Sequence, residues 1–184
     1  MTELLVHGGG VLRPDLSVER ADVLADSETG RIVDVGLGLT ESPAERLDAT
    51  DSLVVPGLVN AHTHVSMTLL RGYADDKPLD AWLREDIWPV EAELTAGDVR
   101  AGARLGLVEM VKSGTTAVSD MYFRMGEVCD AVDEAGVRAR LGRGAVTVGS
   151  DDDEAREEVR ETVEVARALD GRADGRVRGA VCPH

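Results

Sequence analysis

The hydrophobic positions of this chain fall into two regimes, and the change comes at Pro56-Gly57. Before it, apolar residues come in twos and threes between turn formers. Leu4-Leu5-Val6 runs into Gly8-Gly9-Gly10 and then Val11-Leu12. The segments Ala21 to Ala25 and Arg31 to Val35 flank Asp26-Ser27-Glu28-Thr29-Gly30, a hairpin signal with Gly30 where a positive φ is expected. Residues 3–55 therefore predict a small module of short strands. His7 lies in its first strand, where a structural role is expected rather than a ligand.

After Pro56 the spacing alternates between the strand and helix periods. Leu58-Val59 opens a strand that ends in His-Thr-His. From Pro78 to Leu94 the residues Leu79, Trp82, Leu83, Ile87 and Trp88 keep near-helical spacing, with Pro89 expected to kink or end the helix. Thr95 reads as an N-cap with Asp98 three residues on. The stripe Val99, Ala103, Gly106, Leu107, Met110 and Val111 follows, and Gly114 sits just past the helix end. Thr115 to Met121 reads as a strand, Gly126 to Ala135 as a helix stopped by Gly136, and Val137 to Val146 as a strand. Ser150 is expected to cap a helix that opens with Asp151, Asp152 and Asp153, charges suited to a helix N-terminus. Val159, Val163, Ala166 and Leu169 form its expected inner face, and Arg176 to Cys182 a fourth strand. Four strands after Pro56, the first three each followed by a helix, predict βαβ units and a parallel sheet. Repeats and low-complexity tracts are absent.

Length and composition narrow the classes. A chain of 184 residues holds an ordinary domain but is short of the ~250 residues of a full (β/α)8 barrel. A net charge of −15 argues against nucleic acid as a partner. No apolar run approaches the ~20 residues of a membrane helix, so no membrane role is expected. Cys129 and Cys182 are too few for a disulfide framework, and the opening residues do not read as a signal peptide, so a cytoplasmic location is expected. Of the 20 basic residues only Lys77 and Lys112 are lysines, against 35 acidic ones, a balance that points to a salt-loving source.

The candidate chemistry sits at the regime change. Residues two apart on a strand share a face, so His62 and His64 offer paired imidazoles at a strand end, suited to a borderline divalent metal. A bare H-x-H is weak evidence. Its position after an apolar run, expected to be buried with the pair on an inner face, is what favours a metal over two ordinary polar residues. Other chemistries lack their motifs: there is no G-x-x-x-x-G-K-[ST], no G-x-S-x-G and no P-C-x-x-C, and Gly8-Gly9-Gly10 reads as a turn.

P-G-L-V-N-A-H-T-H over residues 56–64, followed by M-T-L-L-R-G-Y-A-D-D over residues 67–76, resembles the metal-dependent amidohydrolase superfamily. Within it the resemblance is closest to the 5-methylthioadenosine/S-adenosylhomocysteine deaminases. It covers nearly the whole chain and is most specific around residues 54–93. It implies an α/β fold: residues 1–55 as the N-terminal part of a composite β-sandwich, and residues 56–184 as the first four β/α units, half of a (β/α)8 TIM-type barrel. It implies that His62 and His64 bind a divalent metal, zinc or alternatively iron, with a later histidine and aspartate. The proton-transferring glutamate is expected downstream of His184. Glu91, in W-P-V-E, matches the glutamate that holds ribose hydroxyls. Arg143, in L-G-R-G-A, matches a substrate arginine, though a strand-end salt bridge reads equally well. His184, in C-P-H, matches a substrate-facing histidine; relatives commonly have Ala where Cys182 stands. Asp75-Asp76 reads as a solvated loop pair. The activity implied is hydrolytic deamination of an adenine nucleoside or purine-like heterocycle. The alternatives are a guanine or cytosine deaminase, a triazine chlorohydrolase-like enzyme, or a non-catalytic truncated chain. A homo-oligomer stays open.

Overall fold

The computed structural model describes residues 3–39, 45–147 and 151–183. Ser150 and His184 themselves fall outside the described residues. The chain divides into two compact units, Met1–Pro56 and Gly57–His184.

The first unit contains β1 (Glu3–His7), β2 (Gly10–Leu12), β3 (Val18–Arg20), β4 (Asp22–Asp26), β5 (Arg31–Gly36), β6 (Glu45–Asp48) and β7 (Leu53–Val54). They form two sheets, in the orders β5-β4-β1-β6 and β3-β2-β7. The expected hairpin is present: β4 and β5 pair antiparallel, and Gly30 turns the chain at φ 65. Asp26 holds that turn by accepting from the Glu28 amide at 2.9 Å and the Thr29 hydroxyl at 2.9 Å. Asp22 accepts from the Gly8 amide at 3.0 Å and the Gly38 amide at 2.9 Å, and these bonds, the Gly8 one foremost, hold its carboxyl below the usual range. His7 is part of β1, and its carbonyl accepts from the Ala49 amide at 2.8 Å.

In the second unit β8 (Leu58–Thr63) leads into a 3-10 turn, Val65–Leu70, and then α1 (Leu79–Ala81), a π turn (Trp82–Ile87) and α2 (Trp88–Glu93). There follow α3 (Ala96–Lys112), β9 (Thr115–Tyr122), α4 (Met125–Ala135), β10 (Arg138–Ala145), α5 (Asp152–Leu169), β11 (Val177–Gly179) and β12 (Cys182–Pro183). The sheet order is β11-β10-β9-β8, every pair is parallel, and β12 pairs with β10. This is the α/β architecture expected from the alternating pattern. The core lies between sheet and helices, where Val99, Ala103 and Leu107 of α3, Val128 and Val132 of α4, Leu141 of β10 and Val177 of β11 are buried.

The start and stop signals of the helices are local, and most act as expected. Thr95 and Asp98 form a capping box, each side chain answering the other's backbone amide. Gly136 ends α4 in the left-handed region at φ 73. Five expectations need correction. Of the two expected effects of Pro89, ending the helix is not observed: the segment widens into the π turn just before it, so a proline without an N–H sits in the first turn of α2. Val111 is 50% exposed, because the inner face of α3 drifts past it toward the helix end. Val159 is 44% exposed, and Thr162 lies at the inner face of α5 instead, its hydroxyl donating to the Arg143 carbonyl at 3.1 Å. Asp151 caps α5 with its own capping box to Glu154. The fourth strand is broken at Ala180-Val181, where the Ala180 amide turns to the Leu141 carbonyl at 2.8 Å.

A sixth correction bears on the site. The strand ahead of the histidines is not buried: β8 ends the sheet order, and Leu58 and Val59 are 58% and 69% exposed.

What positions the residues after His64 is a close approach. A Cβ added at Gly102 of α3 would lie 2.3 Å from the Ser66 carbonyl oxygen, and one at Gly106 would lie 2.6 Å from Val65 Cγ2. The turn therefore beds directly on helix backbone, and the Ser66 hydroxyl donates to the Val99 carbonyl at 2.9 Å. Gly102→Val is expected to destabilise the protein by roughly 1–3 kcal/mol or more, because backbone rather than a flexible side chain must yield. Gly126→Ala in α4, where an added Cβ meets nothing within 4 Å, is expected to gain about 0.5–1 kcal/mol. Denaturant midpoints of the two variants check both signs.

Candidate metal and substrate site

The site gathers at the C-terminal ends of β8 and β9 and on the facing side of α2. His62 lies in β8 and His64 one residue past its end. Their ring centroids are 5.1 Å apart, edge to face at 78°, so the i, i+2 spacing places the imidazoles side by side as expected. His62 is exposed and His64 half-buried. His64 Nδ1 lies 2.5 Å from the Met121 carbonyl oxygen. A carbonyl can only accept, so Nδ1 donates, and in the neutral ring the lone pair that could meet a metal is then on Nε2. This is how metal-binding histidines are generally held. The pair therefore fits a divalent ion as a partial ligand set. Among the described residues no group of three or more His, Cys, Asp or Glu side chains could hold a metal ion.

Beneath the histidines lies Asp120 of β9, 2% exposed. Its Oδ1 accepts from the Val65 amide at 3.2 Å, while its Oδ2 has no partner. Burial raises its pKa to about 6, against the pull of the Val65 amide and His64.

Glu91 stands on α2, half-buried. Its carboxylate Oε1 accepts from the Tyr122 hydroxyl at 2.5 Å. Burial pushes its pKa up, opposed by the Tyr122 hydrogen bond and by His64. The Tyr122 phenol is raised as well, chiefly by burial and then by Glu91. The Tyr122 ring stacks on Phe123 at 4.2 Å and lies 6.1 Å from the His64 ring.

These residues border a cavity of about 520 Å³, lined by His64, Glu91, Tyr122 and Arg143 together with apolar walls that include Trp82 and Trp88. Its size and its few polar groups in an apolar lining suit a small molecule. Arg143, near the end of β10, reaches the cavity but its guanidinium is engaged by α5: Glu158 at 2.6 Å and Glu161 at 3.0 Å. The Glu158 bond is the main reason its pKa is raised. Of the two readings left open by the sequence, the strand-end salt bridge is thus the one observed, at a residue that also lines the cavity. His64, Glu91 and Arg143 come together, and His62 stands beside His64. Asp75 and Asp76 lie in the exposed loop before α1.

Sequence reasoning missed Tyr122, the Met121 carbonyl and Asp120. The signal was available, since all three lie at the C-terminal end of the strand after the histidine strand, where sites of parallel α/β folds collect.

Comparison with known proteins decides the family: the sequence pattern of the Amidohydrolase family matches residues 53–184. The chain belongs to the amidohydrolase family. Among amidohydrolase relatives, it is 67% identical over 184 residues to a 5-methylthioadenosine/S-adenosylhomocysteine deaminase of Haloarcula marismortui, covering 100% of this chain and 43% of that protein. It is 44% identical over 185 residues to a 5'-deoxyadenosine deaminase of Methanococcoides burtonii, covering 100% and 42%. Among solved structures it resembles an adenosine deaminase from Xanthomonas campestris with bound zinc, at 34% identity and a TM-score of 0.79, covering 100% of this chain and 43% of that one. The chain spans less than half the length of each of these relatives.

Proposed function

We propose that this chain is the N-terminal part of a metal-dependent hydrolase that deaminates adenine nucleosides of the 5-methylthioadenosine/S-adenosylhomocysteine type. The observation that carries the reading is the single cavity that holds His64 beside Glu91, a carboxylate fixed by Tyr122. The deaminase names of relatives at 67% and 44% identity support the substrate class.

In this reading His62 and His64 hold a divalent ion, zinc by analogy with the Xanthomonas structure, iron being the alternative. When bound, such an ion lowers the pKa of water toward neutrality and so makes hydroxide available. The net reaction adds water at C6 of the adenine and releases the amino group as ammonia. His64 contributes Nε2, its ring set by the Met121 carbonyl. Glu91 accepts hydrogen bonds from the ribose hydroxyls, a task for an ionised carboxylate with free lone pairs. The tryptophans of the cavity exclude water around the heterocycle. Arg143 and His184 are the further substrate-facing residues of this reading, Arg143 acting from its ion pairs with α5. Proton transfer is assigned to no residue of this chain.

The same reading takes the two units as the N-terminal part of a composite β-sandwich and the first four β/α units of a (β/α)8 barrel. The parallel sheet and the gathering of site residues at strand ends support the barrel. A cytoplasmic protein of a salt-loving organism accords with the net charge of −15 and the Haloarcula relative.

The test is carried out on the completed enzyme. Glu91→Ala is expected to lower kcat/KM for 5-methylthioadenosine roughly a hundredfold, the size of two lost bonds to a charged group. Turnover of free adenine should stay within about twofold of wild type on the same argument. Equal turnover of base and nucleoside by the wild type, with Glu91→Ala harmless to both, would replace this reading by a base deaminase.

A further inference from the structure

The two ends of the site are held by consecutive residues of one strand. Met121 offers its carbonyl to His64 Nδ1 at 2.5 Å, and Tyr122 offers its hydroxyl to Glu91 Oε1 at 2.5 Å. Both sit at the C-terminal end of β9, whose ladder to β10 runs through Gly142 and Arg143 opposite Met121 and Tyr122. The backbone at this point is fixed on the side of its neighbour strand. The Tyr122 ring is fixed too, stacked on Phe123 at 4.2 Å with 29° between planes. Glu91 has no comparable support of its own. It stands on α2, a helix of six residues entered from a π turn, and among the described residues the Tyr122 hydroxyl is the one hydrogen bond its carboxylate makes.

From this we propose that Tyr122 is a positioning residue for ribose recognition. It presets the Glu91 carboxylate, and with Met121 it fixes the spacing between the metal-side histidine and the ribose clamp. The proposal rests on the nucleoside reading above and adds to it the residue that makes Glu91 selective. A tyrosine is suited to the task. Its O–H donates to one oxygen of Glu91 and leaves Oε2 for the diol, and its rigid ring loses little entropy on holding that geometry. A donor bonded to a desolvated carboxylate also opposes the drift toward the neutral acid that burial causes, and a neutral acid is a poorer acceptor. A phenylalanine at this position keeps the ring and its stacking and deletes only the donor.

The experiment uses the full-length holoenzyme and two substrates, adenosine and 2',3'-dideoxyadenosine. Tyr122→Phe is expected to raise KM for adenosine about tenfold, the worth of one hydrogen bond to a charged group, with kcat within about twofold. KM for the dideoxy substrate should not move, since it has no diol for Glu91 to hold. Glu91→Gln should show the same split, and the double variant should lose little more than the worse single one, because the two side chains act as a unit. A Tyr122→Phe enzyme whose KM rises equally for both substrates, or for neither, overturns the proposal, as does a double variant whose losses multiply. If Tyr122→Phe unfolds the protein, the split is read from Tyr122→Trp, which keeps a ring but moves its N–H donor to a different place, and absence of the split there overturns the proposal. A wild-type enzyme that turns over neither of these substrates nor 5-methylthioadenosine overturns the nucleoside reading itself and this proposal with it.

Discussion

Replacing His62 and His64 together by alanine is expected to strip the completed enzyme of its divalent ion and to lower deamination by on the order of 10³-fold or more, about 4 kcal/mol of barrier. The two rings stand 5.1 Å apart, and His64 is already held in the tautomer that leaves Nε2 free. Removing both takes away two imidazole nitrogens at once, and among the described residues no group of three or more His, Cys, Asp or Glu side chains could hold the ion in their place. The fold should survive, because neither imidazole belongs to the buried core. Elemental analysis reads the metal directly, without reference to turnover. His7→Ala, on β1 of the other unit, is the control and should keep metal and activity. A double variant that retains stoichiometric metal would show that these histidines are not ligands.

The fold was legible where the signal is local. The change of period at Pro56, the Thr95–Asp98 capping box and Gly136 at φ 73 each depend on residues within one or two turns of each other, so the sequence displays them side by side. The histidine pair was legible for the same reason, being two residues apart on one strand. Errors arose where tertiary context overrides a local signal. Pro89 reads as a breaker, yet a widened turn before it absorbs its missing donor. Val159 fits the helical stripe, yet the inner face of α5 takes Thr162, whose hydroxyl is satisfied by the Arg143 carbonyl.

The support of the site was not legible at all. Tyr122 and Glu91 are 31 residues apart, and His64 and Met121 are 57 apart. The first pair exists only once α2 lies against the end of β9, and the second only once β8 and β9 have paired. The apolar run before the histidines misled for a related reason. Buried strands of parallel sheets read as continuous hydrophobic runs, and Leu58-Val59 is such a run, yet β8 lies at the end of the sheet with those side chains exposed. Such a run on a strand with one neighbour among the described residues leaves Leu58 and Val59 facing solvent.

That surface sets the second large effect. The 184-residue chain expressed by itself is expected to be inactive and to melt without a sharp transition. The sheet path ends at β8 on one side and at β11 on the other, and each outer edge presents unpaired N–H and C=O groups that can template association. Leu58 and Val59 on β8 and Val181 beside β12 are exposed, as are Leu105, Val108 and Val111 on α3. Exposed apolar side chains beside open strand edges favour association over a defined monomer. Two histidines hold a metal more weakly than a full set, so zinc adds little to folding. With 35 acidic residues against 20 basic ones, self-repulsion keeps the chain dispersed without making it native. Molar salt screens that repulsion and should sharpen the melt somewhat, because the Debye length falls to about 3 Å. It cannot cover the edges. The measurements are a thermal melt followed by circular dichroism, binding of an apolar dye, and ammonia release from 5-methylthioadenosine, all in molar salt with added zinc. Strong dye binding, a broad melt and no turnover are expected. A sharp cooperative melt with measurable turnover would mean that these 184 residues complete the site by themselves, and the proposal that they are part of a longer enzyme would fall.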